Sequence, residues 1–230
     1  MEFYQNLAVE LKSLFPVEVR SKVLEIGCGD GSLFQYLGFA PDRYTGVDFS
    51  PTLLELFRAR HPELQLCCAE GSSFVESKDK YRLIFSHGVV QHFDEEMLHR
   101  HFENAQRMMN EDSILVCASV LDKARRRQYE AGLHTKGTVS RIVRIGKSNV
   151  GRLLGLDVMG YWYSRDEFAK IANAHGFEAS FTESHTFSYR FHATLRQKAS
   201  EPIRHRLDTT LMPGISRTPI AGKLSNESAP

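Results

Sequence analysis

The clearest chemical pattern in the sequence is the set of three alternating glycines, Gly27, Gly29 and Gly31, that follows the apolar run Val23–Ile26. Glycines at such a turn let the backbone bend tightly and approach a ligand closely, and the helix that follows offers free N–H groups. A dinucleotide-binding loop has the spacing G-x-G-x-x-G, whereas a serine occupies the position of its last glycine here. Glu25, inside the apolar run, would repel a pyrophosphate but would suit a cation. The loop therefore predicts a site for a cationic ligand.

Acidic residues also end the next two predicted strands. Asp48 ends the second strand, where its carboxylate could accept both hydroxyls of a ribose, and the adjacent Phe49 could pack on an adenine face. Glu70 ends the third strand, where it could accept the adenine amino group. The alternative for each acid is a solvated cap. Because successive strands of a parallel sheet end at one edge, the acids together predict a single nucleoside site.

The elements that must position these residues alternate between strands and helices. Strands are predicted at 22–26, 44–49, 64–69, 81–86 and 113–120, and helices at 3–15, 32–37, 51–60 and 94–109. This alternation indicates a parallel sheet covered on both faces. After residue 120 it stops, and a capped helix at 164–174 and two strands at 177–186 and 189–196 complete the predicted fold.

Size and composition predict one soluble globular domain. The chain has 230 residues, of which 42% are hydrophobic and 25% charged, and its net charge of +1 does not indicate a nucleic-acid or membrane partner. We expect no signal peptide and no transmembrane segment, since no apolar run approaches the required length. The four cysteines form no Cys-x-x-Cys pair, which favours reduced thiols, a cytoplasmic location and no bound metal.

The run from Val23 to Gly31, together with Asp48 and Glu70, resembles the class I S-adenosylmethionine-dependent methyltransferases over residues 22–120. The resemblance implies a Rossmann-like α/β fold whose seven-stranded, mostly parallel sheet has helices on both faces and an antiparallel last strand. It implies S-adenosylmethionine as methyl donor and S-adenosylhomocysteine as product. The predicted donor site comprises Glu25, Gly27, Cys28, Gly29, Gly31, Asp48, Phe49, Glu70, Gly71, Ser86 and His87. The glycine loop would hold the methionine part, Asp48 the ribose and Glu70 the adenine.

Some family features are absent from this sequence. Arg82 stands where the family usually has an acid, and Glu70 replaces the commoner aspartate. No D/N-P-P-Y/F motif follows the fourth strand, which argues against amino methylation of DNA bases. The acidic metal ligands of catechol-type O-methyltransferases are also missing.

Two histidines after the fourth strand are candidate catalytic residues. The run from Phe85 to Phe93 resembles the family segment that lines the methyl-transfer site. His92 could take a proton from an attacking hydroxyl near neutral pH, or it could simply pack or cap the next helix. His87 is the second candidate, with a backbone contact to the donor as its alternative.

Acceptor recognition is predicted for residues after the fifth strand. The segment 123–152 carries nine Lys or Arg residues against one acid, which suggests an anionic acceptor held by residues such as Arg125 and Arg126. The alternative is a solvated amphipathic helix. The aromatic residues Tyr161, Trp162 and Tyr163 could wall an acceptor pocket or pack in the core. Aromatics are not interleaved with the cations, so no nucleic-acid partner is expected.

We therefore expect a methyltransferase domain at 1–198, an acceptor-binding insertion or cap at 121–163 and a flexible tail at 199–230. The preferred hypothesis is O-methylation of a small polar or anionic acceptor: a sugar, sugar phosphate, glycan or other metabolite. The alternatives are N-methylation of a small molecule and a non-catalytic S-adenosylmethionine-binding module. The glycine spacing and Glu25 disfavour a nicotinamide oxidoreductase. The acceptor and the oligomeric state stay open.

Overall fold

The protein contains one seven-stranded sheet. In the computed structural model, residues 2–18, 20–76, 79–132 and 159–198 are described. The strands are β1 (Val23–Ile26), β2 (Tyr44–Asp48), β3 (Gln65–Cys68), β4 (Tyr81–His87), β5 (Met109–Leu121), β6 (Phe177–Glu183) and β7 (Arg190–Gln197). Their order is β3-β2-β1-β4-β5-β7-β6. Strands β1 to β5 pair in parallel, whereas β7 runs antiparallel to both β5 and β6. The predicted mostly parallel sheet with an antiparallel last strand is confirmed.

Helices cover both faces of the sheet. They are α1 (Glu2–Ser13), α2 (Phe34–Leu37), α3 (Pro51–Arg60), α4 (Glu95–Arg107), α5 (Arg126–Glu130) and α6 (Arg165–Ala174). Successive residues of β1 point to opposite faces: Val23 belongs to one apolar cluster and Leu24 to another. The first cluster includes side chains of α1, α2 and α3, and the second includes side chains of α4 and α6. The prediction of helices on both faces is therefore also confirmed.

Side-chain caps fix the starts of the helices nearest the site. The Asp94 carboxylate accepts the Met97 N–H at 2.8 Å at the start of α4. Ser164 and Glu167 form a reciprocal capping box at the start of α6. These contacts satisfy N–H groups that the helices cannot pair internally, and they set where each helix leaves the sheet edge.

Parts of the predicted organisation fall outside the described residues. This applies to positions 133–158 of the predicted insertion and to the whole predicted tail, so both remain predictions. The described part of the insertion includes α5 and a short segment at 159–163. Among the described residues, no helix combines the length and apolarity needed to cross a bilayer.

Candidate functional site

The glycine loop takes a backbone conformation that other residues rarely adopt. Gly27, Gly29 and Gly31 have φ angles of 76°, 57° and 74°. A Cβ atom on Gly31 would lie 2.1 Å from the Phe57 ring, and one on Gly27 would lie 2.2 Å from Val89 Cγ2. A Cβ on Gly29 would meet no atom within 4 Å. The outer glycines are thus packed against the fold, whereas the central one faces open space that a ligand can enter.

Asp48 connects this loop to the end of β2. One carboxylate oxygen accepts the Gly29 N–H at 2.9 Å, and the other accepts the Ser50 N–H at 2.9 Å. The side chain is buried. Because each carboxylate oxygen has two lone pairs, both can still accept a hydroxyl from a ligand. The two backbone bonds hold the carboxylate in place before any ligand arrives.

Glu70 is held in a similar way after β3. It accepts the backbone N–H groups of Ser72 and Ser73 at 2.8 and 3.0 Å and the Ser72 hydroxyl at 2.7 Å. Burial raises the pKa of Glu70, but these hydrogen bonds outweigh it and leave the pKa below its usual value. The carboxylate is therefore ionised at neutral pH.

Gly27, Asp48 and Glu70 line one cavity of about 340 Å³, which we call the glycine-loop cavity. It is lined by Gly27, Val47, Asp48, Phe49, Glu70, Gly71, His87, Gly88, Val89, His92, Phe93 and Met97. Two carboxylates and no Lys or Arg side chain are among these described lining residues. The cavity is consequently suited to a cation with hydroxyl groups and unsuited to a pyrophosphate.

The structure brings together seven of the predicted site residues. Gly27, Asp48, Phe49, Glu70, Gly71, His87 and His92 all line the glycine-loop cavity. Phe49 is 75% exposed, so its ring is free to pack on a ligand. Sequence reasoning missed Gly88, Val89, Phe93, Met97 and Val47 as lining residues. The first three lie within the run from Phe85 to Phe93, so that run was the available signal.

Other predicted donor residues lie outside this lining. Glu25 accepts the Tyr44 hydroxyl at 2.5 Å, and burial raises the pKa of Glu25 to about 7. Cys28 is buried, and this burial raises the pKa of its thiol. Ser86 is buried on β4, where it pairs in register with Ile26. Gly29 and Gly31 also lie outside this lining, and donor contacts by all five residues remain predictions.

His92 lies on a short 3₁₀ turn, Val90–His92, between β4 and α4, and its side chain is exposed. Its Nε2 is 3.2 Å from Gln91 Nε2. Arg190 donates to Gln91 Oε1 at 2.8 Å, which fixes the amide orientation and makes Gln91 Nε2 the donor to His92. In neutral His92 the proton is therefore on Nδ1 in this arrangement.

His87 ends β4 and is largely withdrawn from water. Burial is the main cause that lowers the pKa of His87 to about 4, with the charge of Arg190 as a further cause. The imidazole is thus neutral at pH 7. Its Nε2 is buried without a hydrogen-bond partner in the described part of the chain.

The predicted acceptor residues have structural contacts of their own. Arg126 pairs with Glu130 at 3.0 Å and lies over the Trp162 ring at 5.7 Å. Arg125 lines a separate shallow cavity of about 410 Å³, which also includes the acids Asp122, Asp166 and Glu183. Acceptor binding by Arg125 and Arg126 remains a prediction.

The aromatic cluster serves both packing and a second cavity. Trp162 and Tyr163 are buried, and the Tyr163 hydroxyl donates to the Phe93 carbonyl at 2.6 Å. Tyr161 is half-exposed. All three also line a second cavity of about 560 Å³ with residues of α4 and α6. Trp162 and Tyr163 thus pack in the fold, and acceptor binding by the three aromatic residues remains a prediction.

The site lies at the carboxyl ends of β1, β2, β3 and β4, and the fold is the Rossmann-like fold of class I methyltransferases. The sequence model of a family described as a methyltransferase domain matches residues 23–112. The match covers less than half of the chain, so it shows that residues 23–112 are similar to a methyltransferase domain, and the fold agrees with that similarity.

A protein of named activity is also similar to part of this chain. A trans-aconitate 2-methyltransferase from Methylobacterium radiotolerans is 30% identical over 86 residues. This alignment covers 36% of the present chain and only 33% of the relative, about a third of that protein's length.

Solved structures share the fold at low sequence identity. A TehB-like S-adenosylmethionine-dependent methyltransferase from Corynebacterium glutamicum has a TM-score of 0.54 and 18% identity, over 83% of this chain and 86% of that chain. The magnesium protoporphyrin IX methyltransferase of Synechocystis, solved with bound S-adenosylhomocysteine, has a TM-score of 0.58 and 15% identity. That likeness covers 85% of this chain and 84% of the other.

Proposed function

We propose that the protein is an S-adenosylmethionine-dependent methyltransferase that methylates an oxygen of a small polar or anionic acceptor. The observation that carries this proposal is the glycine-loop cavity, where a glycine cradle and two fixed carboxylates meet without a cationic side chain in the lining. The donor supplies an activated methyl group on a sulfonium. The neighbouring methyltransferase structure with bound product supports the same choice of ligand.

Each part of the donor is bound by a different set of residues at the site. Gly27 and Gly29 approach the methionine part, and the carboxylate of Asp48 accepts the ribose hydroxyls. Phe49 packs on the adenine, and Glu70 accepts the adenine amino group. These roles use groups that the protein already holds in place, so donor binding needs little rearrangement.

The chemistry asked of the protein is mainly positioning. Holding the acceptor oxygen in line with the methyl group can lower the barrier by roughly 7–11 kcal/mol, which is larger than the effect of a single general base. His92 is the proposed base. To serve through Nε2, it must first lose the hydrogen bond from Gln91.

An acidic acceptor group is supported by one relative, whose name states that it methylates trans-aconitate, a carboxylate. Sugars, sugar phosphates and glycans belong to the same polar class. The four cysteines are free thiols, which supports the proposal of a cytoplasmic location.

Isotopically labelled donor, incubated with the purified protein and metabolite or glycan extracts, tests the proposal. We expect label to appear in a small oxygen-methylated product. His92→Ala should lower turnover by about 100-fold while leaving donor affinity unchanged, because a general base contributes roughly that factor. An undiminished rate in His92→Ala would remove this residue from the mechanism. Donor binding without label transfer to any acceptor would favour the non-catalytic module.

A further inference from the structure

A group of buried polar atoms adjoins the glycine-loop cavity at the ends of β4 and β5 and the start of β7. The Gly88 N–H donates to the Ala118 carbonyl at 3.0 Å, so β4 and β5 stay paired up to this point. The pairing of β5 with β7 shifts register between Cys117 and Val120. Within this shift Ser119 has a φ of 60°, a left-handed conformation that is uncommon for a serine. At this irregularity of β5, Ser119 and its carbonyl lie beside the other buried polar atoms of the group.

Arg190 is the charge at the centre of this group, and it is only 8% exposed. Its Nη1 donates to the Ser119 carbonyl at 2.6 Å, and its Nη2 donates to Gln91 Oε1 at 2.8 Å. Both hydrogen-bond acceptors are neutral, and the guanidinium also lies over the rings of Phe187 and Tyr189 at 5.5 and 5.4 Å. Across residues 2–18, 20–76, 79–132 and 159–198, no carboxylate forms an ion pair with Arg190. A buried guanidinium without a carboxylate is unusual, since buried charges are normally paired.

Other arginines in the same structure do have acidic partners. Arg165 pairs with Glu183 at 2.6 Å, and Arg100 pairs with Glu96 at 3.3 Å, although both arginines are more exposed than Arg190. Glu10, whose charge acts on His87, already has hydrogen-bond donors of its own. It accepts the His192 imidazole at 2.9 Å and the His185 N–H at 2.5 Å.

Three polar atoms of the group also lack partners among the described residues. They are Nε of Arg190, Nε2 of His87 and Oγ of Ser119, and all are buried. Buried polar atoms are nearly always hydrogen-bonded, so these three unpaired atoms are groups that a polar ligand can engage. His87 also lines the glycine-loop cavity, which makes the group continuous with that cavity.

We propose that Arg190, His87 and Ser119 form a carboxylate subsite that anchors the acceptor beside the methyl donor. The set contains one cation, one neutral imidazole and one hydroxyl. This matches a singly charged carboxylate better than a phosphate dianion, which would need more positive charge. The inference rests on the proposed function, because the acceptor is defined as the molecule that meets the donor. It locates anion recognition at Arg190 rather than in the basic segment after β5.

Calorimetry of the full chain, with and without S-adenosylhomocysteine, tests the subsite. The ligands are benzoate and succinate, with benzamide and succinamide as neutral counterparts. At least one carboxylate should bind the wild type, with little or no binding of the amide. Arg190→Gln should lower the affinity for that carboxylate by about 10- to 100-fold, which corresponds to the loss of a hydrogen bond to a charged group. Arg190→Lys should lose less, because it keeps the charge.

Arg196→Gln is the matched control, because Arg196 lies on the same strand but is exposed. It should leave carboxylate binding unchanged. Ser119→Ala is the second variant if Arg190→Gln does not fold, as judged by circular dichroism, and it should weaken the carboxylate severalfold. The subsite is refuted if no carboxylate binds better than its amide, or if carboxylate binding is equal in the wild type and the folded variants. S-adenosylhomocysteine binding is a separate readout. If the wild-type protein does not bind S-adenosylhomocysteine, the proposed function is refuted rather than the subsite.

Discussion

The glycine-loop cavity and the carboxylate subsite (His87, Ser119 and Arg190) adjoin each other, but their polar groups differ in how far they are hydrogen-bonded within the protein. In the cavity, Asp48 accepts two backbone N–H groups, and Glu70 accepts two backbone N–H groups and a hydroxyl. In the subsite, three buried polar atoms have no partner among the described residues. The cavity carboxylates are therefore hydrogen-bonded within the protein, whereas the subsite offers three unpaired polar atoms to a ligand. A donor shared by a whole family suits the first arrangement, and an acceptor particular to one protein suits the second.

The largest effect should come from breaking the packed side of the glycine loop. Gly31→Ala places a Cβ 2.1 Å from the Phe57 ring at a φ of 74°, so it adds steric overlap to backbone strain. We expect a loss of about 3–5 kcal/mol in the free energy of unfolding, measured by urea denaturation. Gly29→Ala is the control, because its φ is also positive but its Cβ meets no atom within 4 Å. It should cost only about 1–2 kcal/mol. Equal losses would contradict the packing account.

The next effect concerns Glu25, whose buried carboxyl has a raised pKa, unlike the ionised Glu70 of the same site. Burial raises its pKa to about 7 from 4.5, so its favourable contribution is present below pH 4.5 and is lost as the pH rises through 7. Glu25→Gln cannot ionise. Its stability relative to the wild type should therefore rise by about 2–3 kcal/mol between pH 4.5 and 8.

Urea denaturation at several pH values measures this difference. Glu111→Gln, at an exposed position, is the control and should show a flat difference. A flat difference for Glu25→Gln as well would mean that the buried carboxyl does not titrate near neutrality.

A smaller effect is expected for donor affinity at Asp48. Asp48→Asn replaces one of two carboxylate oxygens with an N–H₂ group, so one of the bonds from Gly29 and Ser50 is lost together with the charge. We expect S-adenosylhomocysteine affinity to fall by about 10- to 100-fold, measured by calorimetry. Asp42→Asn, on an exposed turn, should leave it unchanged. Unchanged affinity in Asp48→Asn would separate Asp48 from the donor.

The smallest expected effect tests the strain in the carboxylate subsite. Ser119→Gly removes the side chain at a φ of 60° and should raise the free energy of unfolding by about 1 kcal/mol. The same change at Ser180, an exposed serine on β6, should instead lower it by about 0.5–1 kcal/mol. Destabilisation by Ser119→Gly would show that the relief of backbone strain is smaller than the extra unfolded-chain entropy of a glycine.

The sequence predicted the strands, their mostly parallel direction and the cavity carboxylates because each of these signals is local. A glycine loop follows a short apolar strand, and Asp48 and Glu70 each follow another. Periodicity and strand ends are enough to place such residues at one edge of a sheet.

The carboxylate subsite could not be predicted in this way. Arg190 is hydrogen-bonded to Gln91, which is 99 positions away in the sequence, and His192 to Glu10, which is 182 positions away. No spacing rule relates residues so distant. Gly160 is another example: its φ of 88° lets residue 161 donate to the Gln91 carbonyl at 2.8 Å, a docking contact without a local signal. What decides these positions is the pairing of β5 with β7 and the packing of the chain against the turn after β4.

Calorimetric titration of the wild-type protein with S-adenosylhomocysteine and with NAD tests the central claim most directly. Two fixed carboxylates and no Lys or Arg line the glycine-loop cavity, so we predict binding of S-adenosylhomocysteine and no binding of NAD. Tight binding of NAD, with none of S-adenosylhomocysteine or S-adenosylmethionine, would contradict the assignment of this cavity to a methyl donor.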